Sequence, residues 1–217
     1  MNQETALEYL LEKIRQANDG NHVDFALPGY AAKNLLAYHG IREDLLLCLD
    51  ATEELLATTH NKTITASLWY TVIALHGKCF TDASAAGLPK LEKDCFDSTQ
   101  TDLLATHERL MDLRHRFLAH RGITDNEFGV AYLTMNLQTY ARQAQIKSVK
   151  RNMPDRAELL NYRALLVHLI AKVEQKFEKT ARKAWRHMLD TYTPQELAHL
   201  KLAGPVTDSA QLSEGAD

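Results

Sequence analysis

The side chains best suited to chemistry stand together in Leu113-Arg114-His115-Arg116-Phe117-Leu118-Ala119-His120-Arg121. Arg114 and His120 are the types that phosphoryl transfer needs. Imidazole can accept and donate a proton near neutral pH. A guanidinium presents a planar fork of donors, which stabilises charge on phosphoryl oxygens better than an ammonium does. Arg114 is also out of place by pattern. Leu103, His107, Leu110, Arg114 and Phe117 recur at helical spacing, so a cation falls on a stripe otherwise suited to apolar contact. Burying an unpaired charge is expensive. Arg114 must therefore meet a carboxylate such as Asp112 or Glu108, reach solvent at a cleft, or face another subunit. On an unbroken α-helix the six steps from Arg114 to His120 give about 9 Å of rise and roughly 240° of rotation, so the two side chains would not share a face. They can act together only if the helix bends or ends there, or if two chains each bring a copy to one cleft.

A second chemistry is open to the same types of residue. Helical bundles also house di-metal sites built from Glu-x-x-His pairs, and two related spacings occur here, Asp112 with His115 and Glu196 with His199, with further carboxylates at Glu43, Asp44, Glu53 and Glu54. Asp112 stands where Glu is expected, and Arg114 would sit beside the cation. His76 and His107 read as core histidines, and Trp69 and Trp185 as packing residues. No Gly-rich phosphate loop, nucleophile elbow or zinc cysteine cluster is present.

The elements that must position these residues read as helices, because glycine and proline are scarce and fall between segments. Residues 4–17 carry Leu7, Leu10, Leu11 and Ile14 at helical spacing. His22 to Gly29 is a connector. Tyr30 to about His60 predicts one long helix, or two broken near Gly40. Thr63 to Phe80 is apolar over more than half its circumference and is the expected core helix. The motif helix is expected to start at a cap on Ser98 or Thr99 and to run to about His120. Gly122, Asp125-Asn126 and Gly129 then break the period, and the segments 128–135 and 144–149 predict a β-hairpin. Asp155 with Glu158, and Thr193 with Glu196, are capping boxes that open the last two helices.

Composition narrows the class. The net charge of −3 hides an asymmetry: residues 1–110 hold 9 basic and 16 acidic side chains, net −7, whereas residues 111–217 hold 16 and 12, net +4. An anionic partner suits the second half, although the chain is no polycation. The acidic start does not look like a signal peptide, no apolar run is long enough for a membrane span, and three widely spaced cysteines fit buried thiols in a reducing cytosol. A cytoplasmic protein with no membrane partner is expected.

The Arg114–Arg121 stretch resembles the signature of the HEPN superfamily (higher eukaryotes and prokaryotes nucleotide-binding): an Arg, a polar residue, and four to six intervening positions before a His. Five intervene here, and His115 occupies the polar position where Asn or Asp is commoner. Ala119-His120-Arg121, together with Ser67-Leu68-Trp69-Tyr70 and Lys78-Cys79-Phe80, is similar to the abortive-infection (AbiU2-like) branch. The resemblance implies an all-α bundle of the HEPN type with a small hairpin excursion after the motif helix. One such domain is expected over residues 1–203, with the hairpin at about 127–150, and the small, polar composition of 204–217 predicts a disordered tail. It further implies a metal-independent endoribonuclease without cofactor, a toxin or phage-defence effector whose site is shared across a homodimer. Arg114 and His120 would be catalytic, and His115, Arg116 and Arg121 would bind the RNA substrate. An antitoxin accompanies many such toxins, and nothing in this chain demands one. The alternatives are a catalytically silent HEPN-like module that binds nucleotide, RNA or protein, and the di-metal bundle.

Overall fold

The computed structural model describes residues 3–119, 127–150 and 154–203. Among the described residues six α-helices and four strands follow in the order α1 Gln3–Ala17, β1 Asp24–Phe25, α2 Gly29–Ala57, α3 Lys62–Cys79, α4 Thr101–Leu113, β2 Glu127–Met135, β3 Arg142–Lys150, α5 Arg156–Thr191, α6 Pro194–His199 and β4 Lys201–Ala203. The architecture is mostly helical with one antiparallel hairpin, β2–β3. None of the described helices is long and apolar enough to cross a membrane. Two compact units divide the chain, residues 37–177 and a second made of residues 1–36 with 178–217.

The 37–177 unit holds the motif. Its core is one apolar cluster drawn from four helices: Leu45 and Cys48 of α2, Trp69, Val72 and Ile73 of α3, Leu110 and Leu113 of α4, and Tyr162, Leu165, Leu166 and Leu169 of α5. Trp69 and Tyr162 pack with ring centroids 5.0 Å apart. α2 is unbroken through Gly40. α3 starts sharply because Asn61 at its cap accepts from the amides of Thr63 and Ile64, each at 3.0 Å. Those amides have no partner inside the helix. α5 opens with the expected reciprocal cap, Glu158 N–H on Asp155 Oδ1 at 2.9 Å and Asp155 N–H on Glu158 Oε2 at 3.1 Å.

α4 departs from expectation at both ends. It begins at Thr101, behind Gln100, because Asp97 accepts from both the amide (2.9 Å) and the hydroxyl (2.6 Å) of Thr99 and holds that residue in a turn. It stops as an α-helix at Leu113, and Arg114–Ala119 continues as a π-helical segment.

The hairpin pairs Glu127–Met135 with Arg142–Lys150 without a bulge. Its turn closes through Asn136, whose side chain accepts from the amides of Gln138 (2.8 Å) and Thr139 (2.9 Å), and Tyr140 takes the left-handed φ of 56°.

In the other unit, the connector after α1 contributes a strand the sequence did not predict. β1 pairs antiparallel with β4, Asp24 opposite Ala203 and Phe25 opposite Lys201. α6 has the reciprocal cap, with Glu196 N–H on Thr193 Oγ1 at 3.3 Å and Thr193 N–H on Glu196 Oε2 at 2.8 Å. An apolar cavity of about 430 Å³ lies among Ile14, Phe25, Leu35, Trp185 and Met188.

Candidate functional site

Arg114 sits where α4 gives way to the π-helical segment, and its side chain is half-buried. The inner face of α4 is made of His107, Leu110 and Leu113, all buried. Arg114 lies beside this face and runs its side chain over α3 at Gly77. A methyl group placed on Gly77 would come within 1.9 Å of Arg114 Cδ, 2.7 Å of Nε and 3.0 Å of Cγ. The missing Cβ is therefore what lets the arginine stem cross the helix. Gly77 costs α3 on the order of 1 kcal/mol of propensity relative to alanine, and its position in an apolar helix interior is the signal that could have exposed this approach from sequence.

The carboxylates nearest Arg114 in sequence are taken by other cations. Asp112 pairs with Arg116 at 2.7 Å, one turn along, and Glu108 pairs with Lys93 at 2.7 Å. Arg114 has no ion-pair partner among the described residues. A guanidinium can grip an anion through two donors at once, which a lysine ammonium cannot.

Of the other predicted site residues, His115 and Arg116 are exposed. Arg116 is held to Asp112, so its charge is partly neutralised on the surface. His120 and Arg121 lie outside the described residues. The structure thus brings Arg114, His115 and Arg116 onto one segment. That segment is π-helical, a form that is rare, shifts the phase of the residues after it and recurs at functional sites.

Comparison with known protein families, curated proteins and solved structures finds no match. The geometry alone carries the reading of the site.

Behind Arg114 lies a cluster that the sequence separated into unrelated residues. His76, the neighbour of Gly77, approaches His107 with Nε2 and Nδ1 3.1 Å apart, and both rings are buried. The Phe80 and Phe96 rings pack tilted against His107, with centroids 4.2 Å and 5.3 Å from its own. Next to them, His168 Nε2 lies 2.9 Å from the Cys95 carbonyl oxygen. Burial holds His76 down to about 3, with a smaller contribution from His107. His107 is lowered to about 4, by burial first and by Lys93 second. Both are therefore neutral at physiological pH, one ring donating to the other. His76 Nδ1 has no partner among the described residues. The pair fixes α3 against α4, and so fixes Gly77 against Arg114.

The di-metal alternative fares poorly on geometry. Asp112 is held by Arg116, Asp44 by Lys78 at 2.7 Å, Glu43 by Arg42 at 3.1 Å, Glu53 by Arg163, Glu54 by His60 at 3.0 Å, and Glu196 by its own cap. Among the described residues no three His, Cys, Asp or Glu side chains converge as a metal site.

Proposed function

We propose that the protein is a metal-independent endoribonuclease of the HEPN type. Its active site would be completed by a second copy of the chain, and it would act as a toxin or phage-defence effector. The observation that carries the reading is Arg114, half-buried across Gly77 with no carboxylate partner among the described residues, at the start of a π-helical segment within an Arg-x5-His motif. A charge held in that way, at a cost to the helix it crosses, is better explained by an anionic substrate than by stability.

In the proposed reaction a ribose 2′-OH attacks the adjacent phosphorus and the bond to the 5′-oxygen breaks. The proton leaves the 2′-oxygen and a proton reaches the departing 5′-oxygen. His120 serves as acid and base, one histidine from each copy allowing both roles. Arg114 stabilises the charge that builds on the non-bridging oxygens. His115, Arg116 and Arg121 hold the neighbouring backbone of the RNA.

The test is cleavage of RNA by the full chain and its variants. Arg114→Ala and His120→Ala should each lose on the order of 100-fold or more in rate. Arg114→Lys should recover little, because a point charge cannot grip a phosphate through two donors. Products should end in a 2′,3′-cyclic phosphate, a 2′-deoxyribose at the cut should block cleavage, and chelator should change nothing. Cleavage by His120→Ala at the parent rate would remove the nuclease reading and leave the silent interaction module.

A further inference from the structure

We infer that one face of the β2–β3 hairpin is the surface on which a second copy of the chain docks; the inference rests on the homodimer of the proposed function and names where it forms. The register puts Ala131 opposite Ile146 and Leu133 opposite Ala144, with Met135 beside Arg142 at the tip end. Residues in directly opposed pairs lie on the same face, and alternate pairs share it. Ala131, Leu133, Met135, Ala144 and Ile146 therefore form one apolar face. It faces water: Leu133 is 80% exposed, Ile146 74% and Met135 48%. At the turn beside it, Leu137 and Tyr140 are 78% and 70% exposed. Between Gly129 and Ser148 every side chain except Gln145 is exposed, so none of the described helices covers either face.

An isolated two-stranded hairpin is marginal in water, and one that keeps a full apolar face needs something to pack against. The five large side chains expose on the order of 500 Å² of apolar surface. That is close to the apolar share, about 57%, of the roughly 800 Å² that one partner gives to a standard interface. The face also complements itself. Each central pair joins one small and one large side chain, and the large one changes strand, Ile146 on β3 and then Leu133 on β2. A diagonal ridge is thus flanked by hollows at Ala131 and Ala144. A two-fold axis seats the ridge of one copy in the hollows of the other, which is the geometry of a symmetric dimer. The middle of the face bears no charge, so nothing on it selects a partner of opposite sign. Lys147 stands on the opposite face, paired with Val130, and Arg142 bounds this face at the tip end.

Light scattering behind gel filtration of the full chain at micromolar concentration should give twice the 24.5 kDa monomer mass. Leu133→Lys and Ile146→Lys, each on an exposed site that leaves the monomer fold undisturbed, should raise the dimer dissociation constant at least 100-fold. Thr134→Lys, on the other face, should not. A second variant avoids any question of folding. All three native cysteines are buried, so Ile146→Cys adds the one exposed thiol, and mild oxidation should link two chains, whereas Thr134→Cys should not link them. A monomeric parent overturns the inference. So does a dimer that survives Leu133→Lys, even where it still cuts RNA and so preserves the nuclease reading. Loss of RNA binding by Leu133→Lys at unchanged mass also overturns it, in favour of a nucleic-acid surface. Dissociation by Leu133→Lys of a dimer that cuts no RNA sustains the inference while the nuclease reading fails alone.

Discussion

Gly77 and Arg114 are coupled by volume. A helix-interior glycine changed to alanine ordinarily gains up to about 1 kcal/mol, but here the new methyl would lie 1.9 Å from Arg114 Cδ. Gly77→Ala in the parent should be destabilising by roughly 1–3 kcal/mol, the usual cost of overpacking. In an Arg114→Ala background the obstruction is gone and the same change should stabilise. Urea denaturation of the four proteins measures the coupling, and additive effects would mean the arginine does not lie over the glycine. His76 and His107 make a second prediction at this scale. Their folded pKa values, about 3 and about 4, lie below the ordinary 6.5. Between those values and 6.5 the unfolded chain binds more protons than the folded one. The pair's contribution is therefore complete above about pH 6.5 and is lost as pH falls. From pH 7 to pH 5 the parent should lose on the order of 4 kcal/mol through this pair, about 2 from each ring, tempered at His107 by Glu108, which favours the charged ring. A His76→Phe, His107→Leu double variant should show a flatter profile in urea melts at each pH. An unchanged slope would assign acid sensitivity to other groups.

At the scale of the element, caps and phase decide the site. The Asn61 side chain satisfies two amides at the start of α3. Asn61→Ala should cost about 1 kcal/mol without altering the dichroism of the native state; no change in the urea midpoint would mean the amides are equally well served by water. The π-helical segment Arg114–Ala119 changes the phase between Arg114 and the residues after it. Removing His115 should let the segment relax toward α-helix, keep the helical dichroism and, on the proposed function, remove the RNA cleavage assigned to the parent. Full activity in that deletion variant would show that the phase of Arg114 relative to the rest of the motif is immaterial. The caps of α5 and α6 were legible in the sequence because an Asp or Thr acts on an amide three residues away and a Glu there answers it. The π-helical turn was not, because nothing in Arg114-His115-Arg116-Phe117 opposes an ordinary α-helix by propensity.

For the whole molecule, three thiols report on the integrity of the fold. Burial pushes Cys48 up to about 12 and Cys79 higher still, and it also raises Cys95. The native protein should be inert to an aromatic disulfide reagent at pH 8, and three thiols should react once it is unfolded in urea. Rapid reaction of any of them in the native state would show that its segment opens readily. Local periodicity and end chemistry determined by themselves the helical class, the unbroken apolar helix α3, the reciprocal caps of α5 and α6 and the hairpin after the motif, since each depends on residues within a few positions of one another. Residue identity alone also singled out Arg114, as a cation on an apolar stripe. Tertiary structure decided what that cation touches. Gly77 lies on another helix, His76 meets His107 across the α3–α4 contact, Asp112 and Glu108 are claimed by Arg116 and Lys93, and β1 finds its partner near the far end of the chain. These pairings arise from how faces pack and which volumes remain unfilled, and a one-dimensional pattern carries no record of volume between distant segments.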